Sequence, residues 1–193
     1  MSLPGTCILA MAADLSTTHF DLFGLPQAFE VNTEQLDSRY RELQRAVHPD
    51  RFASASDQER RISMQQATQI NEGYQILKDP LQRGRYLLEL DGHQFDDEHH
   101  TTSDVEFLME QMELRESLDA VREADDVFAA LGLIMDRIAG DIDERTTLLQ
   151  KQFADDSPER FEKIADTLTK MQFFRKLQEE AMELEVMLED EIS

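Results

Sequence analysis

Five histidines, His19, His48, His93, His99 and His100, and one cysteine, Cys7, are the side chains of this 193-residue chain best suited to nucleophilic, acid–base or soft-metal chemistry. None stands in a pattern that such chemistry uses. No histidine shares a helix face with carboxylates at metal-ligand spacing, and neither a phosphate-cradling Gly-rich loop nor a nucleophile elbow occurs. Cys7 has no partner for an internal disulfide, and a thiolate zinc or iron–sulfur site within one chain is excluded for the same reason. The adjacent His99 and His100 read as a polar linker pair rather than a metal site, and the many carboxylate pairs at helical spacing read as solvated faces. The expectation is a chain that is not itself an enzyme, with no resident metal and no cofactor.

Charge narrows the partners. The chain carries 19 Lys plus Arg against 41 Asp plus Glu, a formal net charge of -22. That charge repels phosphate backbones and anionic lipid surfaces, and no dense basic patch compensates, so neither nucleic acid nor membrane is expected. A short apolar run spans Cys7 to Ala13, but no Lys or Arg precedes Arg39, so neither a secretory n-region nor an Arg-rich transit peptide is expected. No later stretch approaches the roughly 18 apolar residues of a membrane helix. Residues 1–18 read as a loose tail, and the lone cysteine suits a reducing cytoplasm.

The elements that position the remaining motifs are helices. Apolar residues recur at helical spacing almost throughout, and no alternating β-branched run between turn residues makes a strand, so the fold class is all-α. Asn32 with Gln35 forms a capping pair, and Leu36, Tyr40, Leu43 and Val47 follow on one face, which predicts a helix from about Thr33 to Val47. Pro49 disfavours helical geometry at His48 and forces the chain to leave. Ser56 with Glu59 forms a capping signature opening a second helix, with Ile62, Ala67, Ile70, Tyr74 and Leu77 inward until Asp79-Pro80. From His19 to Phe95 there are 12 acidic and 9 basic residues, net -3, whereas Asp96 to Ser193 has 28 and 10, net -18. That step coincides with the polar stretch from Asp91 to His100. The organisation expected is a tail over 1–18, a first domain over 19–92, a linker over 93–102 and a second domain over 103–193.

Between the first two long helices lies His48-Pro49-Asp50. A helix, this tripeptide, a capped helix and then Asn71-x-x-Tyr74-x-x-Leu77-x-Asp79-Pro80-x-x-Arg83 together resemble a J-domain across about 70 residues, with Phe20 to Pro26 similar to that family's short first helix and turn. With Leu36 at 0°, Arg41 and Arg45 project at about 140° and 180°, away from the core face. Solvated charge is the ordinary explanation for such a pair. The resemblance implies instead that His48, Pro49, Asp50, Arg41 and Arg45 dock on a DnaK-class chaperone and favour its hydrolysis-competent state.

In the second half, Ser103 with Glu106 forms another capping pair, opening a helix through Phe107 to about Val121. With Val105 at 0°, Phe107, Leu114, Leu118 and Val121 fall at about 160° to 220°, whereas Leu108, Met109 and Met112 lie within about 60° of zero, bordered by Glu116 and Glu113. The helix is thus apolar on two opposite faces. Only two further long helices are expected, from about Asp125 to Phe153 and from Ser157-Pro158 onward, and a three-helix bundle needs one seam per helix. One reading buries both stripes; the other leaves the adaptable methionine face to a partner.

Tyr86-Leu87-Leu88-Glu89-Leu90-Asp91-Gly92, His100-Thr101 and the run from Phe107 to Glu116 resemble the HscB family, J-type co-chaperones of iron–sulfur cluster assembly. The Gly/Phe-rich linker and Cys-x-x-Cys repeats of general folding J-proteins do not occur here, nor does the cysteine-bearing zinc module of eukaryotic relatives. The resemblance implies two partners, the chaperone HscA and the cluster scaffold IscU. It assigns scaffold binding to Leu108, Met109, Met112, Glu113 and Glu116, with Phe173 as the matching aromatic, though Phe174 fits the same pattern. Where related sequences add a carboxylate one turn beyond Glu116, this chain has Ala120, which shifts the expected charge toward Glu123. The rivals are a general J-type folding co-chaperone, an enzyme or metal carrier, and a purely structural acidic bundle.

Overall fold

The computed structural model describes residues 18–52, 55–93 and 104–192, and among them the chain is helical with no strand. Residues 1–17 of the tail, the His99-His100 pair and Ser103 lie outside the described residues, whereas Thr18 belongs to the first helix as its cap. The fold divides into two compact units that meet along the chain at Leu87 and Leu88. No described helix is long and apolar enough to cross a membrane.

The first unit opens with α1 (His19–Phe23), started by a reciprocal capping box between Thr18 and Asp21 and stopped by Gly24 at φ 62°. A left-handed residue lets the chain reverse at a helix end without a Cβ clash. Next comes α2 (Thr33–Ala46), where Asn32 accepts the Gln35 amide at 2.9 Å and Val47 is the C-cap. A 3₁₀ turn over Pro49–Phe52 follows, then α3 (Asp57–Lys78), whose Ser56/Glu59 capping box forms as expected. The hairpin is laced by polar contacts. Tyr40 stacks on Tyr74 at 4.0 Å, the Tyr40 hydroxyl donates to Asn71 Oδ1 at 2.9 Å, and the Tyr74 hydroxyl donates to Asp37 at 2.8 Å.

Two expectations for this unit need correction. The helical spacing predicts Ile62 inward, yet it is 38% exposed, and the buried stripe of α3 is Ser63, Gln66, Ile70, Gly73 and Leu77. Ser63, Ile70 and Leu77 repeat every seven residues, so they share one face, while Ile62 projects about 100° away. The Asp79-Pro80 pair ends α3 but also starts a further helix, α4 (Pro80–Leu90). The Asp79 carboxylate accepts the Gln82 amide at 3.0 Å and Pro80 takes the first helical position, where its missing N–H costs nothing. Arg83 is buried, donates to the Leu77 carbonyl and lies over the Phe29 ring at 4.9 Å. Burial pushes its pKa down to about 10, so it stays cationic at neutral pH.

Gly73 marks where α1 crosses α3. A Cβ there would stand 2.8 Å from His19 Nδ1 and 3.2 Å from the Phe23 ring. Gly73→Ala is therefore expected to destabilise the first unit by about 1–3 kcal/mol in urea denaturation, despite the better helix propensity of alanine. A neutral or stabilising result would show that α1 yields at this contact.

The second unit contains α5 (Val105–Asp119), α6 (Val127–Phe153) and α7 (Arg160–Ile192), with a 3₁₀ turn over Ala120–Glu123 between the first two. Its boundaries shift from expectation. Asp104, not Ser103, caps α5, accepting the Phe107 amide at 3.2 Å, and α5 stops at Asp119. Asp126 caps α6 through the Ala129 amide at 3.0 Å. Helix α7 starts at Arg160 rather than at Ser157-Pro158, and the Ser157 hydroxyl and amide both donate to Asp155, at 2.7 and 3.0 Å. The three helices close on Phe107, Leu114 and Leu118 of α5, Leu131 and Ile138 of α6, and Phe174, Leu177 and Ala181 of α7.

Candidate interaction surfaces

In the first unit the chain exits α2 at Val47, and His48, Pro49 and Asp50 are all exposed. Asp50 donates its backbone amide to His48 Nδ1 at 3.3 Å, and its carboxylate lies 3.5 Å from the same nitrogen. The Arg51 amide closes the turn on the His48 carbonyl at 3.0 Å. Both His48 and Asp50 thus spend one interaction on the loop and leave their remaining polar atoms to solvent.

Arg41 and Arg45 project from α2 as the helical projection places them, exposed and opposite buried Leu36. Neither forms an ion pair among the described residues, whereas Arg39 pairs with Glu42 at 3.0 Å and Arg60 pairs with Asp57. Unpaired guanidinium groups beside a loop of this kind keep their full attraction for a carboxylate-bearing surface.

Sequence reasoning missed two residues here. The Arg51 guanidinium donates to the Arg45 carbonyl at 3.4 Å, and Ser63 Oγ donates to the Val47 carbonyl at 2.8 Å from the buried face of α3. Ser63 shares the buried face of α3 with Ile70 and Leu77, and its partner comes from 16 residues away, so no local signal marks it.

The second unit resolves the two faces of α5. Phe107, Leu114 and Leu118, with Val121 on the turn that follows, are 1–6% exposed, while Leu108, Met109 and Met112 are 41%, 60% and 64% exposed, so the methionine stripe is surface and the aromatic stripe is seam. Glu113 and Glu116 are exposed and make no ion pair among the described residues. The flanks of α5, by contrast, are tied down. Arg115 reaches Glu180 of α7 at 2.9 Å, Glu110 receives Arg137 of α6 at 3.4 Å, and Asp104 receives Lys170 of α7 at 2.7 Å. The Lys170 hydrogen bond and the Phe107 amide hold the Asp104 carboxyl below its usual range.

Phe174 is fully buried in the core, so Phe173 is the partly exposed member of the pair; its ring stands edge-on to Phe107 at 5.8 Å and 87°. Ala120 and Glu123 are exposed, but on the 3₁₀ turn after α5 rather than in line with Glu116. Met109 and Glu113 also line an open groove of about 720 Å³ shared with Arg137.

Comparison with known proteins joins these observations. Residues 18–86 match the DnaJ domain family, and residues 103–182 match the family described as the HSCB C-terminal oligomerisation domain. Over 172 residues the chain is 42% identical to a co-chaperone protein HscB homolog of Shewanella oneidensis, covering 89% of this chain and 99% of that protein. The solved structure of chaperone HscB from Vibrio cholerae superposes with a TM-score of 0.76 at 41% identity, covering 89% of this chain and 99% of the other. Human co-chaperone protein HscB superposes with a TM-score of 0.79 at 33% identity, covering 90% and 84%. A J-domain followed by an HscB-type acidic bundle, matched along nearly the full length of a bacterial relative, places the chain in the HscB family of J-domain co-chaperones.

Proposed function

We propose that this co-chaperone stimulates the ATPase of the DnaK-class chaperone HscA and delivers the iron–sulfur scaffold IscU to it, promoting maturation of iron–sulfur proteins in the cytoplasm. Residues 19–92 act on the chaperone through His48, Pro49, Asp50, Arg41 and Arg45. Residues 103–193 hold the scaffold through Leu108, Met109, Met112, Glu113, Glu116 and Phe173. The observation that carries this reading is the exposed methionine face of α5, where Leu108, Met109 and Met112 share one face bordered by the exposed Glu113 and Glu116, unpaired among the described residues, an arrangement suited to a partner's surface.

The mechanism follows from differential affinity. A ligand shifts an equilibrium only as far as it prefers one state, so the J-domain binds the hydrolysis-competent chaperone more tightly than the alternatives. Asp50 supplies a charged acceptor for that state, and Pro49 restricts the loop presenting it. The bundle brings the scaffold to the same chaperone, and tethering raises its effective concentration at the substrate cleft. The test is HscA ATPase measured with this protein, with IscU and with both. Stimulation by the pair beyond the product of the separate effects is expected. Equal enhancement by unrelated unfolded clients would favour the general folding co-chaperone.

The arginine face makes a kinetic prediction. Arg41→Glu combined with Arg45→Glu is expected to slow chaperone association about tenfold or more at low salt, with a smaller change in dissociation, because exposed charges steer encounter more than they hold complexes. Raised salt should slow the parent protein in the same way. If the double variant associates at the parental rate at low ionic strength, these arginines are ordinary surface charges.

A further inference from the structure

A helix ends in carbonyls that have no partner within the helix, and each must find a donor or stay in water. Two such groups at the end of α2 are taken by side chains from beyond the His-Pro-Asp loop. The Arg51 guanidinium donates to the Arg45 carbonyl at 3.4 Å, and the Ser63 hydroxyl donates to the Val47 carbonyl at 2.8 Å across 16 residues of sequence. Ser63 is 3% exposed, so this bond is shielded from competing water.

The Val47 carbonyl and the His48 nitrogen belong to one peptide plane, which turns as a rigid body. Holding that oxygen therefore sets the direction in which His48 leaves the helix. Pro49 fixes the next φ, and the Asp50 and Arg51 amides bond back to His48. The Ser63 hydroxyl on α3 thus anchors the entry to the loop from the core of the hairpin.

We infer that Ser63 is a positioning residue for the His-Pro-Asp loop: its hydroxyl holds the peptide plane ahead of His48 and keeps the loop in the conformation that docks. The inference deepens the chaperone-docking reading and rests on it. When only part of the population has the docking conformation, the apparent affinity falls by that fraction while the saturated complex is unchanged. A positioning role and a contact role consequently differ in what they alter.

The experiment measures HscA ATPase against concentration for the parent, Ser63→Ala and Ser63→Thr, with amide spectra of the isotopically labelled full chain and thermal melts beside it. For Ser63→Ala the half-stimulating concentration is expected to rise about twofold or more, up to the roughly tenfold limit that loss of one hydrogen bond of ordinary net strength sets. Its maximal stimulation stays parental, and the His48 and Asp50 amide signals shift or broaden in the absence of any partner. Ser63→Thr keeps the hydroxyl and restores both readouts. An unchanged half-stimulating concentration with unmoved loop signals overturns the inference, as does a loss that Ser63→Thr fails to reverse while its melt remains parental. Failure of the parent itself to stimulate HscA overturns the docking reading instead, and the partner-free spectra still decide whether Ser63 holds the loop.

Discussion

His48→Gln and Asp50→Asn are each expected to abolish stimulation of the chaperone ATPase at every concentration while leaving the fold and IscU binding as in the parent. The side chains of His48 and Asp50 are 58% and 91% exposed, and their mutual contact is a loop interaction in water. Exposed pairs of this kind contribute about 0–1 kcal/mol, so neither substitution should move the thermal midpoint by more than a few degrees. On the proposed docking the functional loss is larger, because the loop would present these groups to a surface from which water is excluded. Removing one member of a buried, hydrogen-bonded charged contact typically costs about 2–5 kcal/mol, about thirtyfold or more in the docked state. Circular dichroism and IscU titration supply the controls. Full stimulation by either variant would remove the assignment of the loop.

The division between what could be read in advance and what could not follows the range of the interactions. The Ser56/Glu59 box spans three residues, and the sequence alone predicts its formation. The two faces of α5 follow from 100° per residue, which is why Met109 and Met112 separate cleanly from Phe107 and Leu114. Ser63 is different. A serine is ordinarily left on the surface, and its burial is intelligible only once the chain has brought the Val47 carbonyl to it from 16 residues away. Pro80 was ambiguous for a local reason, since proline both ends a helix and suits the first turn of the next; Asp79 decides by capping α4. Phe173 and Phe174 sit about 100° apart on α7, and only the position of the core tells which one is spare. The partners themselves are legible only through the family, because an exposed apolar face states that something binds and not what.

The methionine face carries the second large effect, because a seam and a binding surface respond oppositely to the same truncation. Changing Leu108, Met109 and Met112 together to Ala is expected to leave the melting temperature of the second unit within a few degrees of the parent, since these side chains are already 41–64% exposed and leave no enclosed cavity when cut back. Alanine also has the higher helix propensity, which offsets part of any loss. IscU affinity is expected to fall by about two to three orders of magnitude, as a few central apolar anchors usually dominate an interface and each such truncation costs on the order of 1–2 kcal/mol. Phe107→Ala and Leu118→Ala should reverse the pattern. Both side chains lie in the core cluster, Phe107 edge-on to Phe173, and their removal should each cost about 2–5 kcal/mol of a total near 5–15 kcal/mol. Calorimetry of the two sets beside IscU titrations separates the cases. Unfolding by the methionine-face set, with no binding loss of its own, would mean that the exposed stripe of α5 is held against the bundle in solution and that the scaffold docks elsewhere.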